Sequence, residues 1–194
     1  MPRVSRKQTE QHRKDIIAAA ARLFRKHGID GISLPGVMAE AGLTHGAFYG
    51  HFVSKEALAA EACKLAFEQA RQHQKRLSTR HGSDTQAMRG EFIARYTSKP
   101  HRDNPGTGCP AAALASDVAR TQERAPIRDA FAEDLEDLIG EMSGFMSPRR
   151  SPARRSETLA SVAMLVGAIV LARATTGHPV SDDILNAVRK ALDG

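Results

Sequence analysis

Ile16, Ile17, Ala20, Leu23 and Phe24 recur at i, i+1, i+4, i+7 and i+8, a single apolar stripe that predicts a helix over about residues 8 to 27. Gly28 follows with Ile29 behind it, the glycine and apolar pair that closes a helix in a left-handed turn. Ser33 then caps a second, short helix carrying Leu34, Val37, Met38 and Ala41, with Pro35 tolerated in its first turn. Gly42 and Leu43 end it in the same manner. Thr44 caps a third short helix through Ala47, Phe48 and His51, and Ser54 caps a fourth that continues through Leu58, Leu65 and Phe67 to about Leu77.

Ser78 to Asp84 is polar, contains Gly82 and reads as a loop. Met88, Phe92, Ile93 and Tyr96 mark a fifth helix, and the Pro100, Pro105 and Gly106 cluster marks a break over residues 98 to 107. A sixth helix starts at Pro110 and runs through Leu114 and Val118. Pro126 opens a seventh with the stripe Ile127, Phe131, Leu135, Leu138, Met142 and Phe145. Ser147 to Arg155, with Pro148 and Pro152, reads as a linker before an eighth helix over about Ser156 to Thr176 and a ninth over Ser181 to Leu192. No run alternates with the period of a strand. The pattern predicts an all-α chain of about nine helices, with a three-helix N-terminal module over residues 1–55 and a helical body over 56–194.

Composition narrows this further. With 41% apolar and 26% charged residues in 194, the chain can bury a core and is not of disordered type. Cys63 and Cys109 are too few for a disulfide framework, and no apolar segment follows Arg3, Arg6 and Lys7, so a cytoplasmic location is expected. The stretch Leu159 to Ala172 stops at Arg173, short of the roughly 20 residues of a spanning helix, which argues against a membrane protein. The net charge of +6 is unevenly placed. Residues 1–55 hold nine lysines and arginines against four acids, whereas the other 139 hold 19 against 18. A basic module facing a polyanion fits this asymmetry, and so does a solvated basic face without a partner.

The second helix, the Ala41-Gly42-Leu43-Thr44 turn and the third helix have the spacing of a helix-turn-helix. That geometry presents Thr44, His45, Gly46 and Ala47 to the edges of bases in double-stranded DNA, with Tyr49, Gly50 and His51 further along. Lys55 opposes the dipole of the helix it opens and is suited to a phosphate. The same spacing also occurs in helical proteins that never meet DNA.

Residues 33 to 58, SLPGVMAEAGLTHGAFYGHFVSKEAL, resemble the DNA-binding signature of TetR-type transcriptional regulators, which runs from a Ser/Thr-capped helix through Gly-x-x-Tyr-x-x-Phe to Ser/Asn-Lys-Glu-x-Leu. The upstream Ile16, Ala20 and Phe24 with the Gly28 to Gly31 turn fit as well. The likeness is dense over about the first 60 residues and beyond them rests on length and helix count. It implies that Ser33, Tyr49, His51 and Lys55 hold phosphates, that His45 and its neighbours face bases, and that Phe48 and Phe52 are core. Gly50 departs from the pattern, where a larger polar residue is common.

The eighth helix is apolar almost all round, so it must be buried from two sides. Leu159, Val162, Ala163, Val166, Gly167 and Val170, with Ile184 and Val188 of the ninth helix, are the candidate homodimer face, in the manner of TetR-type proteins. A central helix in a monomer is the other reading. A C2 dimer matches a pseudo-palindromic operator.

The resemblance further implies an effector pocket within residues 84 to 146. Met88, Phe92, Tyr96, Phe131, Leu135 and Met142 are its candidate lining, or simply core. Cys63, among alanines, reads as a small buried hydrophobe. Cys109 precedes Pro110 at a helix N-terminus, where positive partial charge favours thiolate. Residues 108 to 118 also resemble the Gly-Cys-x-x-x-x-Leu-x-x-Glu/Asp-Val segment of TetR-type regulators that respond to electrophiles or oxidants. A structural cysteine fits the same position.

A repressor released by a small molecule or by thiol modification is therefore the expected function, without metal or cofactor. The alternatives are a thiol hydrolase using Cys109, for which none of His73, His81, His101 or His178 lies in a nucleophile motif, and an architectural DNA protein, which leaves the neutral body unexplained.

Overall fold

In the computed structural model, which describes residues 6–123, 125–147 and 153–193, the apolar stripes form nine α-helices and two 3-10 helices among the described residues, with no strand. They are α1 (Arg6–His27), α2 (Leu34–Glu40), a 3-10 helix (His45–Gly50), α3 (Lys55–His81), α4 (Thr85–Tyr96), α5 (Lys99–Asp103), a second 3-10 helix (Pro105–Thr107), α6 (Pro110–Arg120), α7 (Pro126–Met146), α8 (Arg154–Ala174) and α9 (Pro179–Asp193). The turns follow the expected chemistry at the N-terminal end. Gly28 and Gly42 take φ of 79° and 70°, the left-handed region that favours glycine. Ser33 accepts from the Gly36 amide, and Ser54 from the Ala57 amide.

Four expectations are corrected. The third helix is 3-10 rather than α, closed by the Ala47 amide on the Thr44 carbonyl and the His51 amide on that of Phe48. Six residues with glycine at two of them are too short and too weakly helical to hold a stable α-turn. Thr44 is extended but its hydroxyl makes no cap bond. The fourth helix does not stop near Leu77, because Ser78 to His81 continue it and Gly82 ends it. The break over 98 to 107 is itself helical: Ser98 caps α5 through the His101 amide, and Pro100 and Pro105 sit in first turns, where a missing N–H costs nothing. Pro148 and Pro152 of the expected linker lie outside the described residues, as does Arg3.

One continuous apolar cluster runs from Ile16 and Phe24 through Phe48, Leu58 and Phe67 to Ile93, Leu138 and Leu165. The long α3 joins its two ends, packing on α1 at one and on α7 at the other. A smaller cluster of Ile169, Ala172 and Leu185 fastens α8 to α9. With 21 residues, 18 of which in a row have a mean hydropathy of 1.6, α8 is long and apolar enough by length and composition to cross a membrane, so the length argument drawn from Leu159 to Ala172 does not hold. The helix starts two residues earlier than expected and keeps Arg154, Arg155 and Arg173 within its ends, and it packs on α6, α7 and α9.

Candidate functional site

The two short elements of the N-terminal end have almost no core of their own. They are held by Val37, Met38, Phe48 and Phe52, each nearly or fully buried, and the rings of Phe48 and Phe52 stack at 5.7 Å. The Arg13 guanidinium of α1 lies 4.7 Å over the Phe52 ring and pairs with Glu61 of α3, and Arg22 pairs with Glu40 of α2. These contacts fix the 3-10 helix against α1 and α3. Their side effect is electrostatic: Arg13, Arg22 and Lys14, the last paired with Glu10 at 3.2 Å, are neutralised within the protein.

On that frame Ser33, Thr44, His45, Gly46 and Tyr49 are exposed, and Ala47, His51 and Lys55 are half-buried beside them. The Tyr49 ring is two-thirds exposed, packing edge-on to Phe48 at 5.3 Å and to His45 at 6.0 Å. An exposed aromatic held on two sides presents its hydroxyl in a fixed direction. Lys55 makes no ion pair among the described residues, so its charge is not neutralised within the protein as those of Arg13 and Arg22 are. His51 packs edge-on to His12 at 6.3 Å, and burial first, then the charges of His12 and Arg13, lower its pKa. A half-buried neutral imidazole there is a hydrogen-bonding group rather than a cation at neutral pH. Ser33 uses its oxygen as a cap acceptor and keeps its O–H for another partner. Val53, 89% exposed in the turn before α3, belongs to the same surface and was missed. A lone valine between Phe52 and a cap serine gave no periodic signal.

The body holds a cavity of about 80 Å³ between α3, α4, α6, α7 and α8. Phe92, Tyr96 and Met142 of the candidate lining border it, and so does Cys109. Met88 does not; it borders a separate cleft beside Gly82 and Phe145. Phe131 and Leu135 pack into the core instead, Phe131 edge-on to Phe67 at 5.4 Å. Val162 and Val166, assigned to the dimer face, turn inward and line the cavity, because the packing of α8 on α6 and α7 selects that side of an all-apolar helix. Leu159, Ala163 and Val170 remain exposed, together with Met164 and Leu171, and Gly167, Ile184 and Val188 are half-buried.

Sequence reading also missed Gln74, Leu77, His101 and Leu138 in the lining. Gln74 lay between Ala70 and Leu77, a polar residue on an apolar helical stripe, which was the available signal. His101 came from the segment taken for a break. Its Nδ1–H donates to the Tyr96 carbonyl at 2.7 Å, and its Nε2 accepts from the Cys109 amide at 3.1 Å. Burial lowers its pKa to about 4, and Arg173 and Arg95 contribute. The imidazole is therefore neutral and spent on the backbone. It is not placed as the base a thiol hydrolase requires, although the fold brings it beside Cys109.

Cys109 is the N-cap residue of α6 and is half-buried, whereas Cys63 is fully buried and burial pushes its thiol up to about 12. Gly108 before Cys109 has no room for a side chain, since a Cβ there would lie 2.8 Å from Arg173 Nη2 and 3.0 Å from His101 Nε2. The Gly108 carbonyl accepts from Arg25 Nη1 of α1 at 3.3 Å, and Arg25 also donates to the Ala21 carbonyl and to Gln69 Oε1. At the other end of α6, Asp117 Oδ2 accepts from the Ile29 amide at 2.8 Å. The helix that borders the cavity is thus tied at both ends to the helix that supports the N-terminal surface.

Residues 16–62 match the family described as bacterial regulatory proteins, tetR family. The chain is 41% identical over 54 residues to an uncharacterized HTH-type transcriptional regulator, YerO, of Bacillus subtilis (strain 168), covering 28% of this chain and 19% of that one. It is 35% identical over 66 residues to the HTH-type transcriptional regulator AcrR of Shigella flexneri, covering 34% and 31%. The aligned stretches thus span about a fifth and a third of these relatives. The whole fold is similar to that of the reduced form of NemR from E. coli, with TM-score 0.72 at 20% identity, covering 92% of this chain and 95% of that one.

Proposed function

From the match of residues 16–62 to the tetR family of bacterial regulatory proteins we propose that the chain is a sequence-specific DNA-binding transcriptional regulator of that family, a repressor that leaves its operator when a small molecule or a thiol modification acts on its body. Residues 1–55 form the DNA-binding domain and 56–194 the effector and dimerisation domain of this reading. The observation that carries it is the row of Ser33, Thr44, His45, Tyr49 and Lys55 on one side of a buried frame, outside the ion pairs that consume Arg13 and Arg22. His45 and Thr44, with Gly46 and Ala47 allowing close approach, read base edges, while Ser33, Tyr49, His51 and Lys55 hold phosphates.

A homodimer supplies the second recognition element, joined through the exposed Leu159, Ala163 and Val170 of α8 with Gly167, and through Ile184 and Val188 of α9. The protein acts in the cytoplasm and is not an enzyme in this reading. Because α6 borders the cavity and is tied to α1 through Arg25 and Asp117, occupancy of the cavity biases the spacing of the two recognition elements. Genomic footprinting with the purified protein tests the proposal. Protection of discrete sites with dyad symmetry supports it, and uniform protection speaks for an architectural protein.

A thiol trigger is the second reading, favoured by the position of Cys109 on the cavity wall. Stoichiometric alkylation releases the wild-type protein and the Cys63→Ser variant from DNA but not Cys109→Ser. Equal release of all three assigns Cys109 a structural role.

A further inference from the structure

Buried polar atoms almost always find a partner, because leaving one unpaired costs about 1–3 kcal/mol. The cavity wall breaks this rule twice. Gln74, only 6% exposed, leaves Oε1 without a hydrogen bond, and the buried Tyr96 hydroxyl has none either. Burial does most to raise the tyrosine pKa, the neighbouring Cys109 raises it further, and the charge of Arg173 opposes both. Leu77, Phe92, Leu138, Met142 and Leu165 give the buried wall its apolar part, while the half-buried His73, bonded through Nδ1 to the Gln69 carbonyl, and the exposed Thr107 and Arg95 lie towards solvent.

The polar end of the cavity is built from neutral dipoles. An amide and a phenol can each donate or accept, but neither carries charge. His101 is neutral and its two nitrogens are occupied by backbone groups. Two Arg173 nitrogens, Nε and Nη2, donate to the carbonyls of Arg102 and His101 behind it, and Arg95 is exposed at the rim. No aspartate or glutamate lines the cavity, so a cation finds no counter-charge. A carboxylate meets only Arg95, an exposed side chain whose charge water and salt screen. Either ion would shed its hydration for two dipoles, which do not replace it.

We infer that the cavity selects an uncharged small molecule with an apolar body and one polar end that both donates and accepts hydrogen bonds, held by Gln74 and Tyr96. The inference rests on the reading that this cavity is the effector site, and it adds the chemical class. Removing the Tyr96 hydroxyl or the Gln74 carbonyl oxygen removes recognition without breaking a hydrogen bond of that atom in the free protein.

Calorimetry of the full-length protein with four ring compounds of similar size tests it: benzamide, benzoate, benzylammonium and toluene. Benzamide is expected to bind at least tenfold more tightly than the two ions. Tyr96→Phe and Gln74→Leu each weaken benzamide about tenfold and leave toluene unchanged or tighter, while both variants melt at or above the wild type. Equal affinity for benzamide and the ions, or undiminished benzamide binding in Tyr96→Phe, overturns the inference. A lowered melting temperature in Tyr96→Phe does so too, since the hydroxyl would then have a partner in the protein. Operator anisotropy in the same titrations separates the two readings. Selective benzamide binding with unchanged DNA affinity upholds the ligand class and overturns the effector role. DNA release by an ion without benzamide preference overturns the ligand class alone.

Discussion

The N-terminal surface and the body cavity solve opposite problems with the same kind of residue. At the surface, Thr44, His45 and Tyr49 stand in water on a frame whose own polar groups are satisfied, so they lose little when DNA is absent. In the cavity, Gln74 and Tyr96 keep unpaired atoms away from water, so the free protein bears a cost that a fitting ligand removes. Surface recognition is additive and screened by salt, whereas cavity recognition is selective and insensitive to salt.

The frame is the place to break this comparison most severely. Phe48 is fully buried and touches both Phe52 and Tyr49, so Phe48→Ala should destabilise the fold by about 3–5 kcal/mol and abolish DNA binding, read by urea denaturation and anisotropy. A loss below about 1 kcal/mol would mean that the surface does not depend on this core.

Acid probes the cavity side. His101 is held at a pKa of about 4 when folded against 6.5 as its ordinary value, so the folded state binds fewer protons between these values. Stability from this group is complete above pH 6.5 and is lost as pH falls towards 4, by about 3 kcal/mol in all. Denaturation at pH 7 and pH 4.5 should show the fall, and His101→Gln should remove most of it. An unchanged slope in the variant would assign the acid sensitivity to other groups.

Gly167→Leu tests whether the outer face of α8 is covered by a second copy. A Cβ at Gly167 meets nothing within 4 Å in the single chain, so the overfilling by leucine is expected to fall mainly on a partner, at about 1–3 kcal/mol. Sedimentation should shift towards monomer with the melting of the single chain unaltered. The smallest effect belongs to Lys55→Ala, which should reduce the slope of log K against log salt by about 0.9 and weaken all DNA sequences alike. His45→Ala, in contrast, should change which operator is preferred. Reversed behaviour of the pair would exchange their roles.

The two regions also differ in how far they could be read in advance. Ser33, Gly42, Thr44 and Lys55 act through local rules, since capping, left-handed turns and helix dipoles operate over three or four residues. The cavity depends on which side of α3 and α8 meets which neighbour. Val162 and Val166 lie on a helix with apolar residues all round, and such a pattern does not say which side turns inward. Met88, Phe131 and Leu135 share a periodicity with Phe92 and Met142 but pack elsewhere.

The sequence by itself determined the all-helical class, most helix ends, the helix-turn-helix spacing and the basic bias of the first 55 residues, because these follow from short-range periodicity and from counting charges. Only the tertiary structure decided that residues 45–50 wind as a 3-10 helix, that the proline-rich stretch delivers His101 to Cys109, and that Gln74 and Tyr96 face one cavity without partners. Those outcomes rest on contacts between residues far apart in the chain, and neither the period nor the composition of a segment carries information about them.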